Sequence, residues 1–220
     1  MKIKDFLWLS VLILISLFIF LPLTNPIFVG LTTNYPYLMG FNKTMILASM
    51  GEMLVVRIKK GNYFDDPGFI LKAVVWGFLG MVFVFVFPLF EGGIKSIFNE
   101  RVLLSNSFLN SLAYALIVSA SMNILFAPTF MMFHRITDTY INLSKGSPIK
   151  LMRTPFSDVI NSIDFKFFFS FVVLKTIPLF WIPAHTITFI LPPVYRVLMA
   201  SYLSIALGIL LSLKKKENRS

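Results

Sequence analysis

The sequence predicts an all-α, polytopic membrane protein, and three observations carry that expectation. Hydrophobic residues fill 57% of the 220 positions, while charged residues fill only 14%. Soluble domains run near 25% charged. The mean hydropathy is +0.80, and a soluble chain of this size has too much surface for its volume to hide so much apolar area. Finally, the apolar residues, 25 Phe among them, gather in runs of roughly the 20 residues that a helix needs to cross hydrocarbon.

Six such runs can be marked. Residues 6–23 follow Lys2 and Lys4 and end at Pro22, Asn25 and Pro26. Their length, with no small-x-small site after them, predicts a retained anchor rather than a cleaved signal. Residues 38–57 form the second run and carry Lys43 and Glu52. The third, 69–90, is expected to stop near Pro88, and the fourth covers 108–133. The fifth and sixth are 165–182 and 194–213. Six spans are the leading expectation; the alternative is four, with the second and sixth runs partly interfacial. Between the last two runs stand Pro183, Pro192 and Pro193. A proline inside a helix removes a backbone donor and clashes with the preceding turn. In lipid, the freed carbonyls must then find protein or water. A proline-broken, irregular turn over 183–193 is therefore expected before the last span. The chain reads as one membrane domain, 1–220. Its sizeable loop, 134–164, is basic and begins with HRITDTYINL, a candidate interfacial helix.

The charge pattern gives an orientation. Net charge is +10. With six spans and a cytoplasmic N-terminus, the inside regions collect Lys2, Lys4, Arg57, Lys59, Lys60, Arg135, Lys145, Lys150, Arg153, Lys166, Lys214, Lys215, Lys216 and Arg219. The outside regions collect only Lys95, Arg101 and Arg196. That asymmetry is the signature of cytoplasmic loops and puts both termini inside. It also explains the positive charge as topology, not as a nucleic-acid surface. The basic loop 134–164 could meet anionic lipid headgroups. A homo-oligomer is left open.

Catalytic and cofactor chemistry find little support. With no cysteine, disulfides and thiolate chemistry are excluded. No Gly-rich phosphate loop is present, and His134 and His185 lack the spacing of a helical metal site. His134 and Asp138 share a helical face, but no nucleophile accompanies them. The expectation is a protein that is not an enzyme and holds no cofactor.

Two polar patterns remain. Small residues recur every fourth position, at Ser111, Ala115, Ser119, Asn123 and Ala127, and again at Ala200, Ser204, Gly208 and Ser212. Such stripes let helices approach closely inside lipid. Ser111, Ala115, Ser119, Ala200, Ser204 and Gly208 are the candidate packing residues. Intramembrane polar groups are expensive and usually face protein or water. Glu52, Asn123, Lys175, His185 and Arg196 are the candidates for a polar path. Lys43 and Glu52 fall on opposite faces of one helix, so each needs a partner on another segment or a route to an edge.

The C-terminal third also resembles a known family. Trp181, Pro183, Ala184, Phe189, Pro192, Tyr195 and Arg196, followed by Leu211-Ser212, are similar to the Trp-Pro, Val-Pro, Tyr-Arg and Leu-Ser blocks of the Mpv-seventeen family of peroxisomal and mitochondrial inner-membrane proteins. Upstream, Tyr35-Pro36, Gly51-Glu52, Gly77, Gly80 and Phe126-Ala127-Pro128 fit the same pattern. The family's Asp-Gln before Phe-Ala-Pro is here Met122-Asn123, and a family Gln is here His185. The resemblance implies a multi-pass protein without cofactor and a role as a small pore for ions or metabolites. The departures fit a distant, prokaryotic relative of that family, placed in the cell membrane. A structural or assembly subunit without transport activity is the alternative.

Overall fold

A computed structural model describes residues 3–98 and 108–217 of the chain, with side chains described to residue 209. Lys2, Arg101 and Arg219, on which part of the charge asymmetry rests, lie outside the described residues, as does the side chain of Ser212. Among the described residues the architecture is all helical. In chain order the elements are α1 (Ile3–Phe20), α2 (Asn25–Asn34), α3 (Pro36–Lys60) and α4 (Phe69–Ile97). Then come α5 (Phe108–Leu125), α6 (Ala127–Leu143), and two short helices, α7 (Pro148–Arg153) and α8 (Phe156–Asn161). A single turn, α9 (Phe165–Phe167), leads into a π-helix (Phe168–Trp181), which passes directly into α10 (Ile182–Ile190); α11 is Pro193–Glu217.

Four helical stretches are long and apolar enough to cross a bilayer: Ile3–Phe20, Phe69–Ile97, Phe108–Leu125 and Phe165–Ile190. They mark an integral membrane protein. Of the two expected spans not among them, α3 packs most heavily on α4 and α11, and α11 counts as a shorter apolar helix over its described stretch Pro193–Ile209. The lower hydropathy of α3 has a physical reason, because a helix packed between others need not present an apolar face to lipid.

The α3–α4 crossing is built on missing side chains. A Cβ on Gly40 would stand 2.5 Å from Val84 and 3.0 Å from the Gly80 carbonyl, and one on Gly80 would run into the Gly40 carbonyl and Thr44. Close backbone approach of this kind is how helices associate when lipid is as apolar as their side chains. The α3–α11 crossing works alike. A Cβ on Gly51 would stand 3.1 Å from the Ser204 carbonyl, and the Thr44 and Ser201 hydroxyls pair at 3.0 Å. Around these crossings lie two apolar clusters. One joins α4, α5, α10 and α11 through Phe87, Val118, Met122, Phe189 and Val197. The other joins α1, α2, α3 and α11 through Ile19, Phe28, Leu47 and Leu198.

Of the expected packing residues, Ala115, Ser119, Ala200 and Gly208 are buried. Ser204 is half-buried against Gly51. Ser111 is exposed at the first turn of α5 and packs nothing there, because the stripe's drift has carried it off the contact face.

Several boundaries differ from expectation, and proline explains most of them. Pro88 does not end the third run; α4 continues through it to Ile97. Pro26, Pro36 and Pro128 each sit in the first turn of a helix. There the missing N–H is one that the helix would leave unpaired anyway. Pro183 instead sits where the π-helix passes without a break into α10. The expected irregular turn over 183–193 is therefore regular helix to Ile190, and the break is confined to Leu191 and Pro192. The expected loop 134–164 is likewise mostly helix, since HRITDTYINL completes α6 and α7 and α8 follow. The last turn of α3 shows why that helix stops. Gly61 adopts φ +82°, a left-handed C-cap, and Arg57, Lys59 and Lys60 face the negative end of the helix dipole.

Candidate functional site

The candidate site lies where the π-helix faces α4, α6 and α11 across open space. The cavity measures about 670 Å³ and is open on one side. Its lining is mainly aromatic and aliphatic, including Phe83, Phe130, Phe168, Phe171 and Leu207. Polar groups are confined to particular places. Lys59, His134, Arg135 and Asp138 contribute a charged region, and Thr176, Trp181 and Ser204 contribute polar atoms elsewhere in the wall.

The charged region is organised by two networks. In the first, Glu52 on α3 accepts a hydrogen bond from the Trp76 indole N–H at 2.9 Å and lies 3.6 Å from His134 Nε2. The Trp76 and His134 rings are 4.4 Å apart between centroids. In the second, Lys72 is buried between Asp66 and Asp138, at 2.8 and 2.9 Å. Asn142 adds a donor to Asp138 at 3.1 Å. Asp66 sits in the connection before α4. Burial opposes its ionisation, yet the bonds from Lys72 and from the Gly68 N–H together hold its carboxyl below the ordinary value of 3.8. A second contact locks this end. A Cβ on Gly146, whose φ is +73°, would run into the Pro67 carbonyl, so the turn after α6 lies directly on the connection before α4.

Moving along the bundle, Trp181 ends the π-helix and its ring lies 5.3 Å from that of His185. His185 Nδ1 is 3.1 Å from Asn123 Oδ1, and Asn123 Nδ2 donates back to the Ser119 carbonyl at 2.8 Å. Ser119 in turn donates to the Ile182 carbonyl at 2.7 Å. Both the Trp181 indole nitrogen and His185 Nε2 are buried without a protein partner. Trp181 lines the cavity.

Beyond His185 the interior closes. Phe87 and Phe189 pack edge to face at 5.4 Å, and the Arg196 guanidinium lies 5.4 Å over the Phe189 ring. Arg196 is paired with Glu91 through both guanidinium nitrogens, at 2.5 and 2.9 Å. It also donates to the carbonyls of Phe189 and Leu191. The first of these would ordinarily bond the N–H four residues on, which is Pro193 and has none. Arg196 therefore supplies the donor that the prolines removed.

The five expected path residues separate into distinct environments. Glu52 stands beside the cavity through Trp76 and His134. Asn123 and His185 form one buried pair. Arg196 belongs to the closure with Glu91. Lys175 is exposed on the outer side of the π-helix, between the exposed Leu174 and the exposed Leu179, and does not approach Glu52. Lys43 does not reach an edge either; it is buried beneath α2, on the Thr32 hydroxyl at 3.3 Å and the Phe28 ring at 5.1 Å. Sequence reasoning missed Trp76, Arg135, Asp138 and Thr176 as members of a shared wall. The available signal was the polar face of 127–143, which reads as a loop only if 134 is taken as its start. In comparisons with family models, curated proteins and solved structures, nothing matches this chain.

Proposed function

We propose that the protein is a permeation protein for small solutes, with the cavity between α4, α6, the π-helix and α11 as the place where the solute rests. The observation that carries this reading is the shape of the interior. About 670 Å³ of space, mostly apolar but charged in one region, lies between the helices, while the other end is tied by the Arg196–Glu91 pair. Volumes of this order suit a small organic molecule, and a few placed polar groups in an apolar wall are the usual makeup of a ligand site. On this reading α3 and α11 cross the membrane with the four apolar helices, giving six crossings. Both termini are cytoplasmic, the Lys72 end faces the cytoplasm, and Arg196 closes the far side. The resemblance to the Mpv-seventeen family supports the same class of function, and its departures from the family pattern favour the cell membrane of a prokaryote.

Purified protein in liposomes should release trapped small solutes, and Glu52→Gln should change the rate by altering the Trp76–His134 side of the cavity. Vesicles that stay tight at high protein loading would remove the permeation reading and leave the structural subunit in its place.

A further inference from the structure

We propose that the cavity selects an organic anion with an apolar body, and that Arg135 holds the anionic group. The inference rests on the reading of the cavity as a solute site and names what it takes. It follows from counting which charges around the site already have counter-ions. Asp138 is held by Lys72, which Asp66 also contacts. Glu52 is held by Trp76 and faces His134. Asp5 is taken by Arg57 and Glu91 by Arg196. Arg135 lines the cavity and is only half exposed to its surroundings, yet among the described residues no carboxylate stands within ion-pair distance of its guanidinium. The carboxylates nearest in sequence and in the wall are thus already occupied, and the excess charge facing the space is positive.

The rest of the lining defines the other half of the ligand. Phe83, Phe130, Phe168 and Phe171 offer ring surface with no polar group to satisfy. A fully charged or strongly hydrated solute would lose its water against those rings without compensation. A neutral apolar one would leave the guanidinium without a counter-ion. A carboxylate or phosphate monoanion on an aromatic or aliphatic body answers both, because guanidinium binds such groups through two parallel N–H donors. Cations are disfavoured for the same reason, since the one carboxylate in the wall, Asp138, is already shared with Lys72.

The test uses full-length protein in phosphatidylcholine nanodiscs and three probes of one shape: 4-(4-nitrophenyl)butyrate, its neutral amide, and the cationic 4-(4-nitrophenyl)butylamine. Nitroaromatics quench tryptophan, and two of the three tryptophans, Trp76 and Trp181, line the cavity. Saturable quenching by the anion is expected, at least tenfold tighter than by the amide and tighter again than by the amine. A tenfold difference corresponds to about 1.4 kcal/mol, within the range of one charge-assisted hydrogen bond. Arg135→Gln should abolish the preference for the anion, and Arg135→Lys should retain part of it. Absent saturation, equal affinity for anion and amide, or an anion preference that survives Arg135→Gln would each overturn the proposal. The comparison of anion with amide decides the matter on wild-type protein alone if a variant does not assemble. Anion binding without liposome flux would overturn permeation and leave this inference standing; flux without anion preference would do the reverse.

Discussion

The two ends of the bundle solve the same problem in opposite ways. At the Arg196 end, a single guanidinium meets a carboxylate, two backbone carbonyls and a phenyl ring. At the Lys72 end, Lys72, Asp66 and Asp138 are also paired, but the helices behind them part to leave the cavity, with Arg135 in its wall. Some 19 residues of α4, about 28 Å of helix, separate Lys72 from Glu91. What differs is not the amount of charge but how completely the neighbouring backbone is enclosed. The prolines at 192 and 193 free carbonyls, and satisfying those carbonyls pulls Arg196 inward.

The strongest way to break this contrast is at the closed end. Arg196→Ala removes the donors to two carbonyls and strands Glu91, whose side chain is about a third exposed. Loss of a largely buried pair member predicts destabilisation of about 3 kcal/mol, read from thermal unfolding in detergent. If the vesicle assay shows flux in wild-type protein, this variant should also be leakier. A stability unchanged within error would show that the plug is not what holds that end together.

Next comes the helix crossing shared by both ends. Gly80→Ala places a methyl group against the Gly40 carbonyl, and overpacking of this sort costs about 1–3 kcal/mol. Reduced thermal stability with an intact helical circular dichroism spectrum is the expected outcome; a neutral result would mean that α3 and α4 can slide apart without penalty. At the Lys72 end the effect is smaller and depends on pH. The Asp66 pKa is depressed on folding, so its contribution is fully present above the ordinary value of 3.8 and is lost as pH falls through the lower folded value. Asp66→Asn should lower stability at pH 7 by about 1 kcal/mol, discounted for partial exposure, and should flatten the acid limb of a melting-temperature profile. The smallest change is expected outside the comparison altogether. Lys175 is exposed on the outer side of the π-helix, so Lys175→Met should leave stability within about 0.5 kcal/mol and leave vesicle flux unchanged.

How far the sequence foretold these regions depended on the kind of signal. Long apolar runs located α1, α4 and α5 directly, because lipid imposes both length and composition. Helix α2 escaped, being ten residues that begin with Asn25-Pro26 and resemble a turn. Pro183 was read as a breaker, yet helix continues through it, because the change from π- to α-helical pairing falls at that point and no local pattern announces it. Glu52, Asn123, His185 and Arg196 were legible as polar groups in apolar surroundings. Their partners were not, since Glu91, Trp76 and Ser119 lie on other helices and no local spacing encodes that meeting. Arg135 and Asp138 were assigned to a loop because their charges outweighed the apolar residues that carry α6 onward from Ala127.

The bonds that Arg196 makes have a mechanical meaning. Its donors tie the Leu191–Pro192 corner, the last turn of α10 and the far part of α4 into one block. That corner therefore cannot act as a free pivot between α10 and α11. Any motion that widens this end has either to carry all three pieces together, with the fulcrum nearer the π-helix, or to pull the guanidinium off Glu91 and both carbonyls at once. The prolines that seemed to weaken the chain thereby make its tightest rivet.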